Sequence, residues 1–343
     1  MATEASAKAK AWVIFDRIVA DAAPDGVHSN PWIKDSADEL HYEPDFATLR
    51  RLLGVPLYLR ADTRTGVPAL ALDVWLSYEL RRAGFDADAT WPRGTHPRIL
   101  PVPVANLLKA LPIKERDQLN ARLTKSVAVA GVTSASANIL GKNYLKQVDV
   151  IMTDWQTGPE LLISTKRMDS SYGKNAANRV EESYGDAKNL RLRHPLAALG
   201  FVFGLRSDIL EKERDTAEWL IDLLGKLGRE DDAYHATCLV MIEYDDGVAL
   251  ATDSGEDAED PLLAAGLEPA QEIDEELAPV AASDVDRALA RLPAVGIRHD
   301  AMPDRLSPAR FLRHMVDRVL DATPVNLHVE ARSRRRSARE VRA

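Results

Sequence analysis

The feature that most constrains this chain lies between residues 147 and 244, where short apolar strands alternate with helical segments after an opening hairpin. Residues 147–154 (QVDVIMTD) alternate and are rich in β-branched side chains, residues 156–159 (QTGP) carry turn chemistry, and residues 160–167 (ELLISTKR) read as a second strand. A helix over 174–192 follows, then an apolar strand over 196–205, a helix over 216–227 and another apolar strand over 236–244. Strands that are apolar throughout must be covered on both faces, which predicts an α/β fold: a central mixed sheet flanked by helices.

The rest of the chain reads as additions to that core. Residues 1–67 form a lead-in segment with helical candidates at 7–20 and 46–53, and the core runs from 68 to 245, beginning with a helix over 68–83 that Gly84 stops. A proline-rich loop over 91–103 and helices over 104–123 fill the space before the hairpin. Residues 246–343 comprise an acidic linker, without Lys or Arg from 253 to 276, a helix over 307–320 and an arginine-rich basic tail. The lone Cys238 excludes an intramolecular disulfide and a multi-cysteine metal site. The formal net charge of −9 means that any nucleic acid must meet a local basic surface. No apolar stretch approaches the roughly 20 residues that cross a bilayer, and no targeting signal opens the chain, so the expectation is a cytoplasmic protein with no membrane partner.

Two features of the hairpin carry chemistry. Asp149 stands between Val148 and Val150, a carboxylate interrupting a run that would otherwise bury. On the second strand Ser164 and Lys166 share a face, because side chains alternate with period two. An acid and a lysine converging across a hairpin suit metal-assisted phosphodiester hydrolysis, in which the acid holds a divalent cation and the lysine steadies a water or the developing phosphate charge.

With the flanking helices, this arrangement resembles the PD-(D/E)XK nuclease superfamily over residues 68–244, with Asp149 at the first acid and Lys166 at the lysine. Ser164 stands where that family has an acid, and a hydroxyl cannot replace a carboxylate as a charged ligand. A subset of type II restriction endonucleases keeps Ser-x-Lys and places the second acid on the following helix, and here Glu181 or Glu182 occupies that place. The resemblance implies a restriction endonuclease-like core, Mg²⁺ as cofactor, double-stranded DNA as substrate and a homodimer with two active sites. It implies Asp149, Glu181 or Glu182, and Glu79 on the first core helix, as metal ligands, with Lys166 activating water. It also places the segment Arg167, Asp169, Ser170, Lys174, Asn175, Asn178 and Arg179 against DNA. There Arg167 has the fork to read guanine, the two asparagines pair with adenine, and Ser170, Ser171 and Lys174 suit phosphate. Arg191, Arg193 and His194 extend the basic surface.

The sequence contains neither a Gly-rich phosphate loop ending in Lys-Ser/Thr nor HExxH. The rival readings are a modification-dependent or repair nuclease of the same superfamily and a catalytically silent DNA-binding module.

Overall fold

The computed structural model describes residues 6–124, 129, 132–133, 137–229, 233–248 and 281–340; the acidic stretch 253–276 lies outside the described residues. The elements, in chain order, begin with α1 (Ala7–Ala22), the short strands β1 (Trp32–Lys34) and β2 (Leu40–Tyr42), α2 (Phe46–Leu59) and α3 (Val67–Arg82). Next come β3 (Thr90–Trp91), α4 (Val102–Ala110), α5 (Ile113–Leu123), β4 (Ala137–Leu140), β5 (Leu145–Val148), β6 (Val150–Asp154), β7 (Gly158–Met168) and α6 (Tyr172–Arg191). The chain continues through β8 (Ala198–Arg206), α7 (Ile209–Lys212), α8 (Arg214–Leu227), β9 (Ala236–Glu243), α9 (Ala282–Leu289), β10 (Gly296–Ile297), α10 (Pro308–Ala322), α11 (Val329–Arg336) and β11 (Arg339–Glu340).

The fold is mixed α/β. A six-stranded sheet runs in the order β10-β9-β8-β7-β6-β3, with β7, β8 and β9 parallel and the outer pairings antiparallel. Every residue of β8 is buried, as its apolar run requires of a central strand covered on both faces. Alternation along β8 separates the layers. Gly204 meets Leu72 of α3 and Gly200 meets Phe311 of α10 on one face, whereas Phe201 stacks on Tyr234 on the face that carries α6 and α8. A Cβ at Gly200 would stand 2.7 Å from the Phe311 ring, so the glycine lets α10 lie against the strand.

The lead-in segment is part of this core rather than an appendage beside it. Helices α1 and α2 pack on α3, β1 pairs with β2, and β1 also pairs in parallel with β11, so the two ends of the chain meet. Gly84, at φ +98° after α3, would put a Cβ 2.8 Å from the Ala331 backbone; only glycine accepts both the turn and the approach of α11. Arginines of the basic tail are engaged internally: Arg332 donates to the carbonyls of Leu320 and Thr323 at the end of α10, and Arg334 donates to those of His28 and Arg82. Among the described residues no helix is long and apolar enough to cross a membrane.

Two histidines make the fold acid-sensitive. Burial, followed by the charges of Arg81, Arg334 and Arg82, pushes His28 down to about 4. Burial, followed by Arg318, Arg191 and His314, pushes His235 down to about 3. Between these values and the ordinary 6.5 the unfolded chain binds protons that the folded chain refuses. The contribution of these two rings to stability is therefore intact above about pH 6.5 and declines as pH falls toward 4. Allowing for solvent screening at these partly exposed rings, the expected loss is on the order of 2 kcal/mol in total. Unfolding temperatures measured from pH 7 to pH 4.5 should show it, and a His28→Asn, His235→Gln double variant should flatten the profile.

Candidate active site

Residue 164 pairs with Phe201 and residue 166 with Phe203 across the β7–β8 ladder, so Ser164 and Lys166 face α6, and Thr165 between them faces α3. The sequence places Asp149 inside a continuous strand, but the structure breaks that strand at Asp149. β5 leaves to pair with β4, β6 pairs with β7, and Asp149 is the bend between them. Freed from the ladder, its Oδ2 accepts the backbone N–H of Thr165 at 2.7 Å. The Thr165 hydroxyl donates in turn to Oδ1 of Asp73 on α3 at 2.5 Å. One threonine therefore ties two carboxylates from different elements to the centre of the Ser-Thr-Lys strand.

Asp73 is the functional candidate that the sequence reading passes over. It is a buried carboxyl whose proton affinity is raised well above the ordinary range, first by burial and then by the negative charge of Asp149. The Thr165 hydroxyl, Lys8 and Lys166 oppose that rise. Two acids that repel each other form an environment that a divalent cation would relieve. The signal was present in the sequence: Asp73 interrupts the apolar run ALALDVWL in the way that Asp149 interrupts its strand.

On the opposite face, Lys166 Nζ lies 4.0 Å from Oε2 of Glu182, whose oxygen also lies 3.9 Å from Arg179. Glu181 is exposed and turns instead into a groove between α6 and α8 beside Trp219. The structure thus brings Glu182, and not Glu181, to the lysine. Ser164 is buried and hydrogen-bonds the Tyr234 hydroxyl, which donates to the Ser183 carbonyl at 2.8 Å. It is part of the packing between β7 and α6. Nearby, Lys146 pairs with Asp186 at 2.9 Å and Tyr144 donates to the same carboxylate.

Three expected site residues stand elsewhere. Glu79, expected to face the metals, is completely buried on another side of α3, where Oε2 pairs with Arg82 at 2.7 Å and Oε1 accepts the Asp45 N–H. Arg167, expected to read a base, has a side chain only 1% exposed; it is forked onto Asp169 at 2.8 Å and donates to the Pro68 carbonyl. Asp169 is completed by the Tyr244 hydroxyl. The cause is the same period-two rule: residue 167 points to the face opposite Lys166, under α3. Of the remaining DNA-facing expectations, Ser170 and Arg179 are half-buried and Asn178 is exposed on α6. Lys174 and Asn175 belong to α6, but their side chains lie outside the described residues.

Among the described residues, the one set of three or more His, Cys, Asp or Glu side chains with ligand atoms all within 4.8 Å of one another is Asp35, Glu39 and His41. Asp35 there already accepts the N–H groups of Ala37 and Glu39 and lies 2.9 Å from the His41 ring, which makes it a turn before β2. Compared with protein-family models, curated proteins and solved structures, the chain finds no significant match in any of the three.

Proposed function

We propose that this protein is a Mg²⁺-dependent endonuclease of the PD-(D/E)XK type, restriction-like, that hydrolyses phosphodiester bonds in double-stranded DNA as a homodimer. The observation that carries the reading is the pair of carboxylates, Asp73 and Asp149, joined through Thr165 one residue from Lys166. The donor set fits the cation: Mg²⁺ takes hard oxygen ligands, and one or two carboxylates suffice when substrate phosphate and water complete the shell. When bound, Mg²⁺ supplies a Lewis acid for the phosphoryl oxygen and an acidified water.

The chain's own groups do the remainder. Asp149 would hold the ion, with Asp73 tied to it through Thr165, whose N–H and hydroxyl fix the two carboxylates before substrate arrives. Lys166, partly exposed, presents its ammonium to the attacking water and to charge gathering on the phosphate. Glu182 sits where it orients that ammonium. Arg179, Asn178 and Ser170 supply the DNA contacts that remain after Arg167 and Asp169 have satisfied each other.

Supercoiled plasmid incubated with protein and Mg²⁺ should be nicked or linearised, and EDTA should stop the reaction. Glu182→Gln should lower the cleavage rate by about 10²-fold, since it removes the charge that positions Lys166, while Glu181→Gln should cut at the wild-type rate. Cleavage by neither wild type nor variants, with Mg²⁺ or Mn²⁺, would give the lead to a silent DNA-binding module, in which the serine at 164 marks a lost ligand.

A further inference from the structure

A cavity of about 200 Å³ lies between the end of α8 and the start of α10. Its wall carries Arg229, Arg305, Arg310, His235 and His314, and among the described residues no carboxylate lines it. Arg310 has a distant partner in Asp304, 3.4 Å away, whose side chain is almost wholly in solvent. Arg305 lies flat on α8, so closely that a Cβ at Gly225 would stand 2.5 Å from its Nε. The residues 230–232 that follow Arg229 lie outside the described residues.

The informative group is His235. Its Nδ1 is 2.9 Å from the backbone nitrogen of Leu199, and because an amide can only donate, Nδ1 must be the acceptor. The neutral ring therefore carries its proton on Nε2. That nitrogen is buried and has no hydrogen-bond partner among the described residues, and its ring lines the cavity. A buried N–H donor left without an acceptor is costly, and the three arginines of the wall carry positive charge that no lining carboxylate among the described residues offsets. One kind of ligand relieves both at once: a compact anion rich in acceptor oxygens.

We infer that this cavity binds a tetrahedral oxyanion of the phosphate class, with His235 Nε2–H as its fixed neutral donor and Arg229, Arg305 and Arg310 as its charged ones. The volume accommodates a phosphate group with some of its water, a water's share being about 30 Å³, but not a nucleoside as well. The phosphate is therefore either free or the end of a larger molecule that stays outside. The inference stands apart from the nuclease reading, since none of its residues belongs to the Asp73–Asp149–Lys166 cluster.

The test uses inorganic phosphate as the probe, titrated into the full chain at constant ionic strength with chloride as the control. Phosphate should raise the unfolding temperature and shift the ¹⁵N resonance of His235 Nε2, and chloride should do neither. Arg305→Gln and Arg229→Gln should each weaken phosphate binding about tenfold, the effect of one charge-assisted hydrogen bond. A 5′-phosphorylated DNA duplex that displaces phosphate would identify the anion as a nucleic-acid phosphate. Simultaneous binding of both would identify it as a free phosphate or small monoester. An unmoved His235 resonance, or variants that titrate like wild type, would overturn the site.

Discussion

Asp149→Asn is expected to abolish Mg²⁺-dependent DNA cleavage while leaving the protein as stable as wild type, or more so. The asparagine keeps an acceptor oxygen for the Thr165 N–H, so the bend between β5 and β6 retains that hydrogen bond. What it removes is the negative charge that is second only to burial in disfavouring ionised Asp73. Relief of that repulsion lowers the folded-state proton affinity of Asp73 and stabilises the native state at neutral pH. In the mechanism proposed above Asp149 is a charged metal ligand, and loss of such a ligand is worth several kcal/mol of transition-state stabilisation, which corresponds to about 10³-fold or more in rate. Stability gained with activity lost is the mark of a functional site rather than a structural one. Lys166→Ala should share the kinetic defect at about 10²- to 10³-fold. A plasmid-cleavage time course and a thermal melt decide the matter: an Asp149→Asn variant that cuts within about threefold of wild type, or that melts well below it, would remove Asp149 from the chemistry.

How much of this could be read from the sequence depends on periodicity. The alternation of apolar strands and helices placed β7 to β9 and the helices between them, and period two correctly set Ser164 and Lys166 on one face. The same rule put Arg167 on the other face, under α3, a consequence that the resemblance to DNA-contacting loops obscured. The break at Asp149 was not legible, because residues 147–154 alternate smoothly and only the choice of partner, β4 for one half and β7 for the other, separates β5 from β6. The first core helix posed a different difficulty. Helix α3 is buried almost all round from Ala71 to Arg82, so no polar stripe identifies the side facing the sheet. Asp73 and Glu79 are six residues apart, about 240° of rotation at 3.6 residues per turn, so they cannot serve the same site. Only the packing of α3 on β7 reveals which acid meets Thr165.

That division of labour within α3 leads to the second large effect. Glu79→Gln is expected to destabilise the fold by about 3–5 kcal/mol and leave cleavage per folded molecule unchanged. Wild-type Glu79 is completely buried: it pairs with Arg82 at 2.7 Å, accepts the Tyr42 hydroxyl at 3.0 Å, and takes the Asp45 N–H at 2.7 Å. Burial pushes its carboxyl up, and Arg82 pulls it back toward the ionised form. Glutamine reproduces the shape and can still accept from Tyr42, yet it leaves the Arg82 guanidinium, itself 5% exposed, without its counter-charge inside the protein. The hydrogen bonds of Arg82 to the Glu43 carbonyl and the Ser29 hydroxyl remain, but they are dipoles and offset only part of the loss. At about 2.1 cal/mol/K of unfolding entropy per residue, a chain of 343 residues shifts by about 1.4 °C per kcal/mol, so the melt should fall by about 4–7 °C. Asp73→Asn is the informative contrast on the same helix. The asparagine keeps an acceptor for the Thr165 hydroxyl and removes a buried charge that Asp149 opposes, so the melt should move little while cleavage falls by about 10²-fold or more. Rates normalised to active protein separate the two acids. A Glu79→Gln variant that is stable but inactive, beside an Asp73→Asn variant that is unstable but active per folded molecule, would exchange their roles and move the metal to the other side of α3.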